Sequence, residues 1–484
     1  MATSQDALLW VNRLYKVLTD RRPDIAKQFR YFEGEQPLVY ATPQWKEFHA
    51  ERYSGFSDNW CAVVAQAPVD RLRIDGFSLG SERSAEEREL WDDWKRNELP
   101  LHSKQGFLAS TIAKRSATLV WGGEDDEPVV TWEHPSQIAV SYSADHRQRR
   151  AALKAWVHED TEYATLYLPD EVWKFERPTY IVHDGRTESG IIVPVSGAGM
   201  GGWKPRQPDT DDTWPLSNPL GEVPVVEWLN RPLLGGEPLS DISGTMAMQD
   251  AVNTLWAYMF TAADHASMTA RVVTGADWPQ VPVLDKDGQK IGSRPAKLED
   301  LAQGRFLFIP GKDAKIDQWE AARLDVFDKE IATAVAHIAA QTSTPGHYLL
   351  SNEKFANLNG DALTAAETPL ATKSRNAAEF YSPAGRDTLR LMAKVRGRDA
   401  LADSLRSAEL QWHDPAMHSL SVVADAATKD RAVGLSLRTI LETRYGMSPD
   451  RIDIELDRVA AEQSDPVLDR ITRGLLDVAD RSGA

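Results

Sequence analysis

The sequence predicts an α+β fold in which helix predominates, and three observations carry that expectation. Long stretches at both ends place apolar residues at steps of three and four, the repeat of a helix with one buried face. A middle section instead shows short β-branched and aromatic runs separated by turn residues. Two further helical stretches then flank a small strand-rich insert. At 484 residues the chain has room for roughly three ordinary domains and a well-buried core. With 42% hydrophobic and 26% charged residues, its composition is that of a globular protein.

Taken in order, residues 4 to 30 read as an opening helix, with Leu8, Leu9, Val11, Leu14, Val17 and Leu18 at helical spacing and Gly34 as a stop. Further helices are expected at about 59–73, 85–97 and 101–118. Strands are expected at Leu119–Trp121 and Val129–Trp132, joined through the acidic turn 122–127, and then at 151–158, 164–168 and 172–177. The stretch 185–221, rich in Gly, Pro, Asp and Trp, follows neither period and reads as a long surface loop.

Helix returns over 239–268, where Ser240 or Asp241 offers an N-cap and Ile242, Met246, Gln249, Val252, Trp256, Met259 and Phe260 recur at helical steps. Short strand-like pieces follow around the turn Asp285-Lys286-Asp287-Gly288. Leu324, Phe327, Ile331, Val335 and Ile338 then mark a helix suited to lengthwise packing against another. After a Thr/Pro/Gly/Asn-rich loop at 341–360, a long helical zone runs to about Val395, with Pro369 and Pro383 expected to break or kink it. A strand at 409–412 and helices at about 424–434, 437–445, 449–463 and 466–479 complete the reading.

Charge and cysteine content narrow the chemistry. Fifty-five Lys and Arg against 72 Asp and Glu leave a net charge of −17, which argues against gripping nucleic-acid phosphates over the whole surface. The single cysteine, Cys61, has no internal disulfide partner and builds no Cys-based zinc site, so a reducing setting is expected. The N-terminal MATSQDALLW has no signal-peptide pattern and no run approaches a membrane span, which together predict a soluble protein with no membrane partner, cytoplasmic at synthesis.

No catalytic constellation stands out. The glycines of GAGMGG at 197–202 lack the following helix and the Gly-Lys-Ser/Thr that a phosphate loop needs. His413 and His418, five apart across Pro415, read as turn residues rather than metal ligands, and His337 and His347 are no better placed. Adjacent acidic pairs such as Asp92-Asp93, Asp125-Asp126 and Asp211-Asp212 are expected by chance among 72 acids. Two carboxylates across a cleft lined by some of the 16 tryptophans would suit a carbohydrate-active hydrolase, which is the alternative from a different functional class. No catalytic residue, cofactor or metal is assigned.

Three local patterns, in order over about residues 8 to 460, resemble one family. The first is Tyr31-Phe32-Glu33-Gly34-Glu35-Gln36-Pro37-Leu38 with Asn59-Trp60-Cys61 and Arg71-Leu72-Arg73-Ile74-Asp75-Gly76-Phe77. The second is Gly221-Glu222-Val223-Pro224-Val225-Val226 with Asn230-Arg231, Asp241-Ile242 and Gln249-Asp250-Ala251-Val252-Asn253. The third is Thr342-Ser343-Thr344-Pro345 with Asn357-Leu358-Asn359-Gly360-Asp361-Ala362-Leu363, Leu370 and Lys373, closed by Trp412-His413-Asp414-Pro415 and the stretch from Ala424 to Lys429. Together they resemble the portal proteins of tailed double-stranded DNA bacteriophages, in the branch typical of long-tailed actinobacterial phages. Asn359-Gly360 departs from the usual Ser-Gly, and Pro369 interrupts the long helix.

The resemblance implies a portal fold of wing, two-helix stem, β-containing clip and helical crown, assembled as a homo-oligomeric ring of twelve at one capsid vertex. It places the wing at 1–238, the stem helices at 239–268 and 323–341, and the clip at 269–322. A tunnel loop would occupy 342–360, a kinked long helix and wing 361–423, and the crown and tail 424–484. Such a ring would pass double-stranded DNA and engage the terminase large subunit, a head–tail adaptor, the major capsid protein and a scaffolding protein, without enzymatic activity of its own. It would reside in the virion, and in the host cytoplasm during assembly. Pro345, Gly346, His347, Tyr348, Asn352 and Lys354 would line the channel at the tunnel loop. Lys286, Lys290, Arg294 and Lys297 would contact terminase or adaptor at the clip, and Lys329 is a stem-lumen candidate. Another virion protein, such as an adaptor, is the remaining alternative. Twelve copies would sum to roughly −200 charges, an acidic wall over which DNA slides without sticking.

Overall fold

The structure, a computed structural model, describes residues 3–49, 57–80, 83–145, 148–159, 161–178, 181–183, 195–196, 201–206, 215–267, 271–275, 280–286, 288–295, 306–309, 313, 315–318, 323–350 and 360–463. The chain divides into two units. One comprises 1–33, 59–245 and 342–484; the other comprises 34–58 and 246–341.

In the larger unit, the helix Ser4–Glu33 lays Ala7, Val11, Leu14, Tyr15 and Leu18 against an antiparallel sheet. That sheet is built from Ile138–Tyr142, Arg149–His158, Thr161–Tyr167 and Glu171–Pro178 in sequence order. Alternate residues of these strands, among them Leu153, Ala155, Ala164, Leu166 and Phe175, fill the interface, as the two-residue period requires. Burial brings charge with it only in paired form. Glu162, fully buried, accepts from Tyr15 Oη at 2.7 Å and from Arg177 at 2.7 and 2.9 Å, and Arg22 lies 3.6 Å away.

A second core gathers around the long helix Gly360–Val395 and a three-stranded sheet ordered Val225–Leu229, Arg115–Gly122, Pro128–Glu133. Phe107 sits at its centre, 5.0–5.7 Å from the rings of Trp132, Trp228, Tyr381 and Trp412. Gly106 makes this packing feasible, because a Cβ there would fall 1.8 Å from the Trp132 ring. Ile74–Ser78 pairs antiparallel with Glu409–Trp412, and the helices Leu420–Ala432, Leu437–Thr443 and Pro449–Gln463 follow. Cys61, on the helix Trp60–Val69, is fully buried.

In the smaller unit, the helices Met246–Ser267 and Leu324–Thr342 flank a β-rich insert, although Thr342 itself falls in the larger unit. Arg271–Thr274 pairs parallel with Phe306–Ile309 and antiparallel with Lys315–Gln318, while Gln280–Leu284 and Lys290–Pro295 form a separate hairpin.

Several expectations from sequence need correction. The helix expected from 239 begins at Met246, because Ser240 and Asp241 are consumed by local turns and by side-chain bonds described below. The helix expected to reach 118 stops at Ala113, where Lys114 turns to φ 72° and the chain enters a strand. The long helix is continuous through Pro369 and Pro383. Each proline forfeits one backbone bond, and the buried Leu370, Ala371, Tyr381 and Ala384 around them hold the segment by packing. Within 185–221, Trp203 is buried and the short strands Lys204–Pro205 and Leu216–Ser217 both pair with Glu171–Pro178, so this stretch is not all surface loop. The helix expected at 466–479 lies outside the described residues. Among the described residues, no helix is long and apolar enough to cross a membrane.

Candidate channel and docking elements

The helix Met246–Ser267 of the smaller unit is anchored by buried amides. Asn253, fully buried, donates to Gln36 Oε1 at 2.6 Å and accepts from the Asp58 amide at 3.3 Å. Gln249 donates to Asn253 Oδ1 at 3.0 Å, and the Trp256 indole donates to Asp58 Oδ2 at 3.1 Å. Burial raises the Asp58 carboxyl above its ordinary value, with the indole bond opposing that shift. Three residues of the sequence patterns, Gln36, Gln249 and Asn253, thus fasten segment 34–58 to the helix.

Between the helices Met246–Ser267 and Leu324–Thr342 in sequence, the hairpin Gln280–Leu284/Lys290–Pro295 carries three of the four basic residues singled out from sequence. Lys286 sits in the turn and Lys290 on the returning strand, both exposed, while Arg294 is half-buried opposite Val281. Lys297 lies outside the described residues. Asp285 closes the turn: its carbonyl accepts from Gly288 at 3.2 Å and its carboxylate from the Gln289 amide at 2.8 Å. Leu284 pairs with Lys290 while Val283 pairs with Gly292, so Ile291 is the extra residue of a bulge. Ile291 is 67% and Leu284 56% exposed, giving the hairpin an apolar tip beside its lysines. Sequence reasoning missed these two residues, since a bulge leaves no periodic trace.

The helix Leu324–Thr342 buries Ile331, Val335 and Ile338. Its exposed residues near the start include Asp325, Asp328 and Glu330 against Lys329, whose ammonium lies 3.6 Å from Asp325. Arg323, exposed just before the helix, also pairs with Asp325 at 2.9 Å, so three acids meet two bases at this helix start.

Beyond this helix, in the larger unit, Pro345 is buried and Gly346–Leu349 forms one helical turn. His347 Nε2 lies 2.7 Å from Glu367 Oε1, and the Tyr348 hydroxyl donates to Glu367 Oε2 at 3.4 Å. Arg71 pairs with the same buried carboxylate, donates to Tyr348 Oη at 2.9 Å and donates to the Pro415 carbonyl at 3.1 Å. Pro345, Gly346, His347 and Tyr348 are therefore brought together and tethered, with Tyr348 the exposed member. Asn352 and Lys354 lie outside the described residues. Nothing local in the sequence marks Glu367 or Arg71 as partners of this turn, because they lie 19 and 277 residues from Tyr348.

A second carboxylate organises the nearby chain. Asp241 accepts from Asn230 Nδ2 at 3.0 Å, pairs with Lys373 at 2.7 Å and has Arg231 at 3.6 Å. Lys373 also donates to the Thr342 carbonyl at 3.2 Å. All four side chains belong to the sequence patterns set out above, and the structure makes them one cluster. His413 and His418 each sit on a carboxylate, at 3.3 Å from Asp75 and 2.9 Å from Asp414. Among the described residues no three His, Cys, Asp or Glu converge as a metal site.

The model of the family described as phage portal protein, SPP1 Gp6-like, matches residues 12–465. The chain is 25% identical over 450 residues to a portal protein of Mycobacterium phage L5, covering 89% of this chain and 83% of that one. It is 26% identical over 382 residues to a portal protein of Mycobacterium phage D29, covering 75% and 70%. Among solved structures, it resembles a chain in the neck of an empty gene transfer agent particle with TM-score 0.41 and 12% identity, over 80% of this chain and 88% of that one. A chain from the virion of a native gene transfer agent particle gives 0.40 and 12%, over 88% and 94%. Both structural likenesses are loose.

Proposed function

The chain belongs to the phage portal protein family, and on that premise we propose that twelve copies close into a ring at one capsid vertex, through which double-stranded DNA enters during packaging and leaves during ejection. The observation that supports this most is the family match across residues 12–465, nearly the whole chain. The smaller unit agrees with it in form: two helices flank a β-rich insert, as a stem and clip would.

In this reading hairpin 280–295 is the docking surface for the terminase large subunit and later for a head–tail adaptor, with Lys286 and Lys290 at its tip, together with Arg294 and Lys297, meeting an acidic partner. The acidic start of the second stem helix faces the channel, where like charge keeps phosphate from sticking, and Lys329 is a cationic contact there. The segment 342–360 lines the narrowest part, with Tyr348 the best exposed of its described residues named above and Asn352 and Lys354 further along. Capsid and scaffolding proteins meet the ring from outside.

Electron microscopy of the purified chain, supported by mass photometry, tests this. The expected result is rings with a central hole and a mass near twelve times 53.9 kDa. A uniform 53.9 kDa particle at all concentrations, with scaffold present or absent, would overturn it.

A further inference from the structure

The outer surface of the larger unit carries an arginine–tryptophan patch that the portal reading leaves unused. Trp10, half-buried on the opening helix, packs its base against the core below. Two guanidiniums lie over its ring, Arg13 at 5.4 Å and Arg150 at 5.5 Å from the centroid. Both arginines are exposed, and Leu9 beside them is 68% exposed. Among the described residues, neither Arg13 nor Arg150 has a carboxylate within ion-pair distance. This contrasts with Arg22, Arg115, Arg177, Arg390 and Arg396, each held by at least one acid. In a chain of net charge −17, these two arginines share one partly exposed tryptophan ring, and Asp6, one turn away on the same helix, is bonded to Thr3 instead of to them.

We propose that this patch is a docking site for a segment of another protein that presents carboxylates next to an apolar side chain. The chemistry favours that partner over nucleic acid. Arginine and tryptophan are the residues that most often carry binding energy at protein interfaces, and a guanidinium fork matches a carboxylate in two-point geometry. Resting on an aromatic ring orders both side chains in advance, so less freedom is lost on binding. Leu9 supplies an apolar contact that a phosphate backbone would leave unmatched. Two cations are also few for nucleic-acid binding, which draws its affinity from many phosphate contacts. The inference stands apart from the ring reading, since it concerns a face that exists in the single chain.

The test is fluorescence anisotropy of the full chain with three labelled probes: a short peptide alternating Glu and Leu, its Gln-for-Glu counterpart, and a short DNA duplex. Saturable binding of the Glu–Leu peptide is expected, weakened about tenfold for the Gln peptide, for the Arg13→Glu/Arg150→Glu variant and for Trp10→Ala. Arg13→Gln/Arg150→Gln gives a milder loss, and because the altered guanidiniums are at the surface, thermal unfolding of both arginine variants should match the parent. Equal peptide binding by parent and variants, absence of saturable peptide binding, or duplex binding that alone depends on the two arginines would each overturn the proposal.

Discussion

At Gly106 the structure has no room for a single methyl group. Gly106→Ala forces a Cβ into the Trp132 indole, which is wedged between Phe107 and Trp228, so the ring cannot swing away cheaply. A loss of about 1–3 kcal/mol is expected in urea unfolding. His134 makes a second test at this scale. Its ring lies against Phe29, its Nδ1 is 3.3 Å from the Ser136 amide that donates to it, and burial lowers its pKa to about 4. The unfolded chain takes up this proton near pH 6.5, whereas the folded chain resists until about 4. Stability should therefore fall as pH drops through that window, by about 1–3 kcal/mol. His134→Gln should flatten this part of a melting-temperature profile; an unchanged slope would count against a neutral buried imidazole. Neither site is legible from sequence, because an ordinary glycine or histidine acquires its constraint only from rings brought in by distant segments.

At the scale of elements, Asp241 shows how a short turn is fixed by remote side chains. Asp241→Ala leaves Lys373 and Asn230 without their shared acceptor and should cost about 2–4 kcal/mol. A double-mutant cycle with Lys373→Met should return a coupling of about 0.5–3 kcal/mol in chemical denaturation; additivity within error would mean that the pair at 2.7 Å is incidental. The same cluster explains which elements the sequence disclosed. Strong periodicity revealed the opening helix, the strands between 149 and 178, the helix Leu324–Thr342 and Pro449–Gln463. It misled at 239–245, where helix-compatible spacing lost to the side-chain demands of Asn230 and Lys373, and at Pro369 and Pro383, where burial outweighed local breakage. Two-residue strands such as Lys204–Pro205 are too short to have a period at all.

At the scale of the whole molecule, charge sets the terms of assembly. Subunits of charge −17 repel one another, and salt screens that repulsion over about 10 Å at 0.1 M. Mass photometry across salt concentrations should show oligomers gaining over single chains as salt rises; the reverse trend would mean that ion pairing holds the proposed ring together. The portal assignment was legible because motifs of modest individual weight keep their order along the chain. The tethering of His347 and Tyr348 to Glu367 was not, since it depends on which helix faces which. One feature of the larger core has a practical use. Because the only thiol, Cys61, is fully buried, a cysteine placed at exposed Lys286 becomes the sole site open to maleimide dyes, one per subunit, with no background to remove first. Such a fluorophore would report by energy transfer how far apart the hairpins of an assembly lie, while slow labelling of Cys61 itself would time the opening of the core.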